Sequence, residues 1–240
     1  MSTANPLDNV IWNALTTRQA EFAEGVDQAR RFMPEVTALG AFREPTAEGY
    51  ESLARLLREH GTVAVFLDNP YEPRAGWKWV AGAAALQMIC ENGPVELASR
   101  TCNDAKMIEL GAADSAAMLE LTALTKPGPF GRRTHELGTY LGFRRNGKLV
   151  AMAGERMKVP GYTEVSAVCT HPEHTGQGYA GILMAEVMRG IRERGEIPIL
   201  HVRGDNLRAI ALYERLGFST RHRGYFALLR KESVAHVVSS

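Results

Sequence analysis

The chain has 240 residues, of which 45% are hydrophobic and 23% are charged, values typical of a folded globular protein. This composition excludes disordered, collagen-like and fibrous proteins, and the length allows one large domain or two small ones. Lys and Arg number 28 against 27 Asp and Glu, so the net charge of +1 gives no general electrostatic case for binding nucleic acid or an acidic membrane.

The cysteines and the apolar stretches indicate a reducing compartment away from the membrane. Cys90, Cys102 and Cys169 are too few and too irregularly spaced for a disulfide framework or a CxxC metal site. The longest apolar stretch, residues 80–90, is too short to span a bilayer, and residues 1–10 do not resemble a signal peptide. We therefore expect a cytoplasmic protein that binds neither nucleic acid nor a membrane. A homodimer is one of the oligomeric states that we expect it to form.

The first hundred residues carry little pattern. Residues 17–32 and 49–60 are predicted to be helical, the second segment because its leucines share one face. Residues 62–67 are predicted to form a strand that ends at an Asp-Asn-Pro turn. Residues 77–90 fit a strand or a helix equally well, because the stretch is rich in alanine.

A domain boundary is predicted at the Asn92-Gly93-Pro94 break and the polar stretch over residues 99–104. It divides the chain into an N-terminal region over residues 1–104 and a second domain over residues 105–240. No catalytic spacing is visible before this boundary.

The pattern becomes regular from Met107. Asn146-Gly147 is a strong signal for a two-residue hairpin turn, because both positions need a positive φ. Asp114 is a candidate helix cap, and Gly217 a candidate helix stop. The elements follow the order β-α-β-β-β-α-β-α-β, which predicts an α/β (α+β) protein with a mixed sheet. The predicted strands are 107–110, 139–145, 148–157, 163–169 and 196–202, with one or two more strands over residues 218–230. The predicted helices are 115–125, one from residue 180 onward, and one that starts after Asp205 or Asn206 and runs through Leu216.

The helix after residue 178 has the clearest periodicity in the chain. Its apolar side chains recur at intervals of three and four, which predicts one buried face, packed against the sheet. Those side chains are Ala180, Leu183, Met184, Val187, Met188 and Ile191.

A glycine-rich loop precedes this helix. Gly176, Gly178 and Gly181 match G-x-G-x-x-G, the spacing of dinucleotide-binding folds. In those folds the strand runs straight into the first glycine, but six residues intervene here, and only 35 residues follow Asp205, too few for a second nucleotide-binding half. The context therefore argues against a nicotinamide site.

With its flanks, the loop resembles the acyl-CoA pyrophosphate loop of the GNAT superfamily of N-acetyltransferases. A second block, DNLRAIALYERLGF, resembles the superfamily's N-x-x-A-x-x-x-Y-x-x-x-G-F segment through Asn206, Ala209, Tyr213, Gly217 and Phe218. The resemblance covers residues 107–231. One position departs from the pattern, because Thr175 stands where the family has Gln or Arg, and a long donor is lost there.

The resemblance implies an acetyl-CoA site. Exposed N–H groups at a helix N-terminus compensate the charge of a pyrophosphate, and glycines let the phosphates approach the backbone. In the family, the strand before the loop parts from its neighbour and pairs with pantetheine, although an ordinary sheet ladder is the alternative here. The implied cofactor-binding residues are Val168, Cys169, Thr170, Thr175, Gly176, Gln177, Gly178, Tyr179, Ala180, Gly181 and Asn206.

Two catalytic roles are assigned to candidate residues. Tyr213 sits at the family's general-acid position, where a phenol protonates the departing thiolate, although packing on its helix face is the alternative. Glu164 is our candidate for the base that deprotonates the amine, with a solvated strand-end carboxylate as the alternative and Glu155 and His135 as weaker candidates. Asn206 is interpreted as a helix cap or a coenzyme A contact.

Other clusters carry less weight. His171 and His174 lack a third ligand at a metal-binding spacing, so we expect no metal. The apolar neighbours of Cys169 favour a buried thiol over a nucleophile. Arg221, His222 and Arg223 form a short basic cluster, which suits a solvated turn, the 3′-phosphate of the coenzyme or an acidic acceptor.

The predicted function is transfer of an acetyl group from acetyl-CoA to a primary amine by direct attack in a ternary complex. The acceptor is a small molecule or a peptide, without a readable code in the sequence. The alternative function is a non-catalytic acyl-CoA-binding sensor or assembly module. The first 104 residues are interpreted as a degenerate second GNAT-like half or as an extension that covers the acceptor cleft.

Overall fold

The computed structural model of the protein describes residues 5–25, 27–92 and 106–232. Within these ranges the chain forms eleven strands and five α-helices. The N-terminal region contains α1 (Val10–Thr16), β1 (Ala23–Glu24), β2 (Ala29–Phe32), β3 (Gly40–Phe42), α2 (Ala47–Arg55), β4 (Thr62–Leu67) and β5 (Trp77–Ile89). The rest contains β6 (Lys106–Leu110), α3 (Ser115–Thr125), β7 (Tyr140–Arg145), β8 (Lys148–Val159), β9 (Tyr162–Thr170), α4 (Tyr179–Glu193), β10 (Ile197–Arg203), α5 (Leu207–Arg215) and β11 (Ser219–Lys231).

An eight-stranded mixed sheet organises the molecule, in the order β4-β11-β5-β10-β9-β8-β7-β6. The pair β9 and β10 is parallel, and the other neighbours are antiparallel. β1, β2 and β3 form a separate small sheet. The prediction of an α/β mixed-sheet fold is therefore confirmed.

The sheet draws strands from both regions of the chain. β5 lies between β10 and β11 and is hydrogen-bonded to both, and β4 forms the edge beyond β11. The division at residue 104 and a degenerate second half stay predictions. The predicted boundary segment lies outside the described residues, apart from Asn92.

Helices cover both faces of the sheet. α4 and α5 pack on one face through the predicted apolar stripe, where Leu183, Met184 and Ile191 are fully or almost fully buried. Burial of each such side chain contributes roughly 1.5–3 kcal/mol to folding. α1 packs on the opposite face against Ile89 and Ile199. Successive residues of β10 therefore point alternately toward α4 and α5 and toward α1.

Several local predictions are confirmed. The hairpin turns at Asn146 and Gly147, with φ of 49° and 79°. The helix over residues 115–125 has the predicted bounds, and Gly217, with φ of 89°, follows the end of α5. The ambiguous stretch over residues 77–90 is a strand, because it pairs with a strand on each side.

The helix predicted over residues 17–32 is wrong. The segment forms a short 3-10 turn followed by β1 and β2. Gly25 has a φ of 99° and Asp27 a φ of 59°, so the backbone reverses in the left-handed region where a helix would have to continue. A Cβ at position 25 would also lie 2.6 Å from the Leu56 side chain, so only glycine fits this turn.

Asp114 lies directly before α3, but it does not act as the predicted helix cap. Its side chain does not cap α3 but accepts from the N–H of Gly111 at 3.0 Å and from Arg144 at 2.5 Å. These two bonds lower the pKa of the Asp114 carboxyl.

Within the described ranges, no helix has the length and apolar character needed to cross a bilayer.

Candidate active site

A wedge-shaped gap opens between the two parallel strands at the centre of the sheet. β9 and β10 pair at only three positions, the last of which joins Glu164 to Ile199. Beyond this point β10 continues its ladder with β5 on the other side, as far as Arg203. Residues 166–170 of β9 therefore have no ladder partner on the β10 side, and their backbone groups are open to a ligand.

A β-bulge lies at the base of this gap. Ser166 pairs with Gly154 and Cys169 with Met152, so two residues of β9 face the single residue Ala153. Ala167 has a φ of 53°, a conformation that costs an alanine energy. Bulges redirect backbone groups, and this bulge lies within residues 166–170, the part of β9 that has no ladder partner in β10. The sequence carries no signal for this bulge, because Ala167 is an ordinary strand residue in its pattern.

The glycine loop leads from β9 to the N-terminus of α4. Gly176 and Gly178 have φ of 81° and 84°, so both need the freedom of glycine. A Cβ built on Gly176 would meet no heavy atom within 4 Å beyond its chain neighbours, so the backbone there is open, and we call residues 176–178 the cradle. The first N–H groups of α4 have no partner inside the helix and point toward this cradle.

The side chains around the cradle have different roles. Thr175 donates its hydroxyl to the carbonyl of Pro172 at 3.1 Å, a bond internal to the loop. Gln177 is exposed and accepts from the Arg145 guanidinium at 3.3 Å. Tyr179 is buried against Phe143, with ring centroids 4.9 Å apart. The predicted contact of Tyr179 can therefore come only from its backbone, as for the small residues Ala180 and Gly181 that follow it.

Tyr213 lies on α5, near Cys169 of β9. The residue is buried within the core beneath α4 and α5, and its ring packs against Phe218 at 6.2 Å. Burial, together with the nearby Cys169 thiol, raises the pKa of Tyr213 to about 12. Its phenol is therefore fully protonated at neutral pH and lies close to β9. The packing interpretation and the acid interpretation are compatible at this position.

Glu164 is the centre of a buried ionic network. Its two oxygens accept from Nε and Nη2 of Arg156, each at 2.7 Å, and Oε1 also lies 2.8 Å from Nδ1 of His201. Although burial opposes ionisation, these partners hold the pKa of Glu164 at about 2. A carboxylate so stabilised has little affinity for a proton. Its role as a base is a prediction that these contacts do not support.

The weaker base candidates are also constrained or remote from the gap. Glu155 is buried and pairs with Arg194 at 2.6 Å and with Lys158 at 2.9 Å. His135 lies on a 3-10 turn over Thr134–Leu137, and its Nδ1 is buried without a partner in the described structure. Neither side chain contacts β9 or β10 through a hydrogen bond described by the structure.

The remaining candidates are placed as follows. Asn206 caps α5 by accepting from the N–H of Ala209 at 3.2 Å, as predicted for a cap, and its contact with the coenzyme stays a prediction. Cys169 is buried, and burial raises the pKa of its thiol to about 11, so the thiolate is scarce. Val168 and Thr170 are half-buried beside the gap.

A small cluster of metal-capable side chains lies in the loop before the cradle. His171, Glu173 and His174 each bring one ligand atom to within 4.8 Å of the others. Nδ1 of His171 already accepts from the N–H of Glu173 at 3.3 Å. The expectation of no metal stays a prediction.

His201 and Gln87 are the site residues that sequence reasoning missed. Nε2 of Gln87 lies 3.1 Å from Nε2 of His201, and Arg221 donates to Oε1 of Gln87 at 2.8 Å. Both were hidden in strand patterns, 114 positions apart along the chain. The alternation of β10 is the one signal that could have found His201, because it places a polar residue between buried Leu200 and Val202.

Comparisons with known proteins agree with this geometry. The family model described as FR47-like protein matches residues 140–227. A mycothiol acetyltransferase of Saccharomonospora viridis is 45% identical over 58 residues, which cover 24% of this chain and 19% of that enzyme. The chain therefore spans only about a fifth of this curated relative.

Solved structures extend the likeness to 95% of the chain. A GCN5-related N-acetyltransferase from Kribbella flavida, 16% identical, covers 95% of this chain and 97% of its own with a TM-score of 0.62, which shows a shared fold. A crystal structure from Novosphingobium aromaticivorans, assigned to the GNAT family of acetyltransferases, is 35% identical. That match has a TM-score of 0.86 and covers 95% of this chain and all of the other. On this evidence the chain belongs to the GNAT family of acetyltransferases.

Proposed function

We propose that the protein is an N-acetyltransferase that moves an acetyl group from acetyl-CoA to a primary amine by direct attack in a ternary complex. One observation carries this proposal. The parting of β9 and β10 after Glu164 and Ile199 leads directly to a glycine cradle at a helix N-terminus. This is an arrangement that suits an extended chain ending in a diphosphate.

The chain's residues fit acetyl-CoA as the donor. Backbone N–H groups from Gln177 to Gly181 would hold the pyrophosphate, because fixed dipoles replace the water that its charge loses. Residues 166–170 of β9 would pair with pantetheine as an added strand does. Asn206 lies at the start of α5, the helix that also carries Tyr213, and a second contact with the coenzyme is expected there.

The chemistry follows from two features at the base of the gap. The N–H groups at the Ala167 bulge would stabilise negative charge on the carbonyl oxygen as the amine attacks. The Tyr213 phenol would give its proton to the sulfur as the C–S bond breaks, because a protonated phenol is available at every physiological pH. The thiolate leaves as a thiol, and the proton lost by the nitrogen restores the phenol.

Two measurements test this function. Calorimetry with acetyl-CoA and with CoA reports binding, and release of free thiol across a panel of amines reports transfer. Binding followed by amine-dependent thiol release supports the proposal. Binding without release from any amine would favour the sensor function instead. No heat and no thermal upshift with saturating acetyl-CoA would reject both. A cytoplasmic location and a homodimer are further proposals, which fractionation and light scattering test.

Gly176→Ala is expected to weaken acetyl-CoA binding by about tenfold or more, because the new methyl group occupies the cradle that the diphosphate needs. Gly147→Ala is a matched control. Gly147 has nearly the same φ, 79° against 81°, and its Cβ position is equally open, but it lies in the hairpin turn. Both variants should lose about 1 kcal/mol of stability from the left-handed conformation. Equal acetyl-CoA affinities in the two variants would contradict the cradle.

A further inference from the structure

The tip of the hairpin between β7 and β8 lies beside the cradle. Phe143 of β7 packs on Tyr179, the first residue of α4, with ring centroids 4.9 Å apart. Side chains alternate along a strand, so Arg145, two residues after Phe143, projects to the same face of the sheet. Nη1 of Arg145 donates to Oε1 of Gln177 at 3.3 Å. A cationic side chain of the hairpin therefore contacts the middle residue of the cradle.

Two positive charges face each other at this tip. Arg145 and Lys148 form the last pair of the ladder, directly before and after the Asn146-Gly147 turn. Paired residues of an antiparallel ladder project to the same face, with Cβ atoms about 5 Å apart, and like charges placed in this way destabilise the ladder. An acidic residue at either position would make the hairpin more stable. An anion bound between the two side chains would remove their repulsion.

The acidic residues near the hairpin have other contacts. Arg144 projects to the opposite face of β7, where it pairs with Asp114 at 2.5 Å and donates to the Gly147 carbonyl at 2.7 Å. The Asp114 carboxylate is therefore engaged by Arg144. Glu173, in the loop before the cradle, is 82% exposed and lies 4.0 Å from Nδ1 of His171. Among the described residues, positive charge thus exceeds negative charge where the tip meets the cradle.

The cradle itself supplies only partial charges. A helix N-terminus is equivalent to about half a positive elementary charge. A diphosphate carries negative charge on both of its phosphates, so the backbone N–H groups leave part of that charge uncompensated. Residues 171–188 contain no lysine or arginine, and the Thr175 hydroxyl donates to the Pro172 carbonyl. A full positive charge at the cradle must therefore come from another element of the fold.

The chemistry of the Arg145 contact suits an exchange of partners. A guanidinium presents a planar fork of N–H groups that matches two oxygens of one phosphate. Its bond to a phosphate is charge-assisted, and such a bond is roughly twice as strong as a bond between neutral groups. The Gln177 amide is neutral and exposed, so water can replace the guanidinium there. A phosphate in the cradle would consequently draw Arg145 away from Gln177.

We propose that Arg145 and Lys148, at the tip of the β7–β8 hairpin, bind the diphosphate of the acyl donor together with the cradle, and that Arg145 exchanges its bond to Gln177 for bonds to phosphate oxygens. The inference rests on the acetyltransferase function proposed above. It adds to the donor site a second element, which the glycine motif does not contain. The sequence analysis identified this hairpin only by its turn.

Calorimetry with CoA tests the two side chains. We expect Arg145→Gln to weaken CoA affinity by about tenfold, because a charge-assisted contact is lost. Lys148→Gln should weaken it by about threefold, since an exposed ammonium is well screened by water. Arg132→Gln is the control, because it removes the same charge outside the hairpin from a side chain that is 71% exposed. Equal losses in Arg145→Gln and Arg132→Gln would show a general charge effect and reject the proposal.

Two analogues of CoA identify the phosphate that the tip contacts. 3′-Dephospho-CoA keeps the diphosphate, and pantetheine has no phosphate. The loss of affinity in Arg145→Gln should be the same for CoA and 3′-dephospho-CoA, and absent for pantetheine, whose weak binding an NMR titration follows. A loss that disappears with 3′-dephospho-CoA would move the contact to the 3′-phosphate and overturn the assignment. An equal loss with pantetheine would show an indirect effect on the gap and overturn it as well.

Lys148→Glu separates binding from folding. The introduced carboxylate faces Arg145 across the ladder, and this ion pair should raise the melting temperature of the ligand-free chain by about 1–3 °C. The same carboxylate should weaken CoA affinity by about 30-fold, because it repels the diphosphate and competes for Arg145. A merely structural role of Lys148 predicts that stability and affinity change in the same direction. A lower melting temperature with unchanged CoA affinity would contradict the proposal.

Ionic strength gives an independent test. The CoA affinity of the wild type should fall more steeply between about 50 and 500 mM NaCl than that of the double variant Arg145→Gln/Lys148→Gln. The reason is that the double variant lacks two of the charges that attract the diphosphate. Parallel salt dependences would reject a direct contact between the tip and the diphosphate.

The failure of this inference differs from the failure of the proposed function. If the wild-type chain binds no CoA, the proposed function is wrong and this inference is wrong with it. If the wild type binds CoA and every hairpin variant binds it equally well, the function stands and the tip is not part of the donor site. A cooperative thermal transition in each variant shows that the variant is folded.

Discussion

Glu164→Gln is expected to lower the free energy of unfolding by about 3–5 kcal/mol, the usual cost of leaving a buried charge without its partner. The carboxylate is fully buried and neutralises Arg156, whose side chain is 9% exposed. A neutral amide cannot compensate that guanidinium, and one of its two bonds would be lost. For a chain of this size the melting temperature should fall by roughly 10 °C, which thermal unfolding followed by circular dichroism measures.

An exposed pair offers the matched control. Arg133 donates to both oxygens of Glu136 at 2.8 and 2.7 Å, the same geometry as the buried pair, but on the surface. Glu136→Gln should therefore cost no more than about 1 kcal/mol. The double variant Arg156→Leu/Glu164→Leu should recover part of the loss, since neither charge is then buried alone. Similar losses in the buried and exposed variants would contradict this account.

The same network predicts acid sensitivity. The pKa of Glu164 is depressed to about 2 in the folded chain from an ordinary value of 4.5, so the unfolded chain binds the proton more tightly. The stabilisation is present above the ordinary pKa and is lost as pH falls through the folded value. Urea unfolding between pH 5 and pH 3 should show a smaller loss of stability in Glu164→Gln than in the wild type. Parallel curves would assign acid unfolding to other groups.

Tyr213→Phe is expected to lower kcat by about 100-fold, with acetyl-CoA affinity changed less than about threefold. The substitution removes only the hydroxyl, so the packing against Phe218 is kept. Steady-state thiol release and calorimetry separate the two effects. An acyl donor with a more acidic thiol should restore part of the rate, because its leaving group needs less help from an acid.

Tyr50→Phe controls for the loss of a buried phenol elsewhere. Tyr50 lies in α2 and is buried against Phe42 and Trp77, in a cluster that contains no residue of β9 or β10. The Tyr50→Phe variant should therefore have the same turnover rate as the wild type. If Tyr213→Phe also turns over at the wild-type rate, the residue acts only in packing and the acid is a different group.

The parts of the fold that follow from local pattern could be predicted. The amphipathic stripe of α4, the Asn146-Gly147 turn and the Gly217 stop each depend on residues close together in the chain. The segment over residues 17–32 could not, because the helix-forming residues there were overruled by the reversal at Gly25 and by the pairing of β2 with β1 and β3. The alanines of β5 were ambiguous for the same reason, since its two partners are formed more than 100 residues later.

Some parts of the candidate site could likewise be predicted from the sequence, and other parts could not. The cradle at Gly176 and Gly178 follows from a short motif before a clear helix. The partner of Glu164 is Arg156, eight residues away across a hairpin, and the interaction with His201 needs the crossover through α4. Sequence reasoning placed Glu164 at the start of its strand, but the buried setting of this carboxylate, which decides its chemistry, depends on elements that only the folded chain brings together.

The position of β5 has a consequence for how the protein can be made and divided. A fragment that starts at residue 105 would leave β10 and β11 separated by an empty slot in the middle of the sheet, with both facing edges unsatisfied. Such a fragment should aggregate when expressed alone, and the missing strand, supplied as a synthetic peptide, should rescue its solubility. During synthesis β5 emerges before both of its neighbours, so the eight-stranded sheet can be completed only after β11 has emerged.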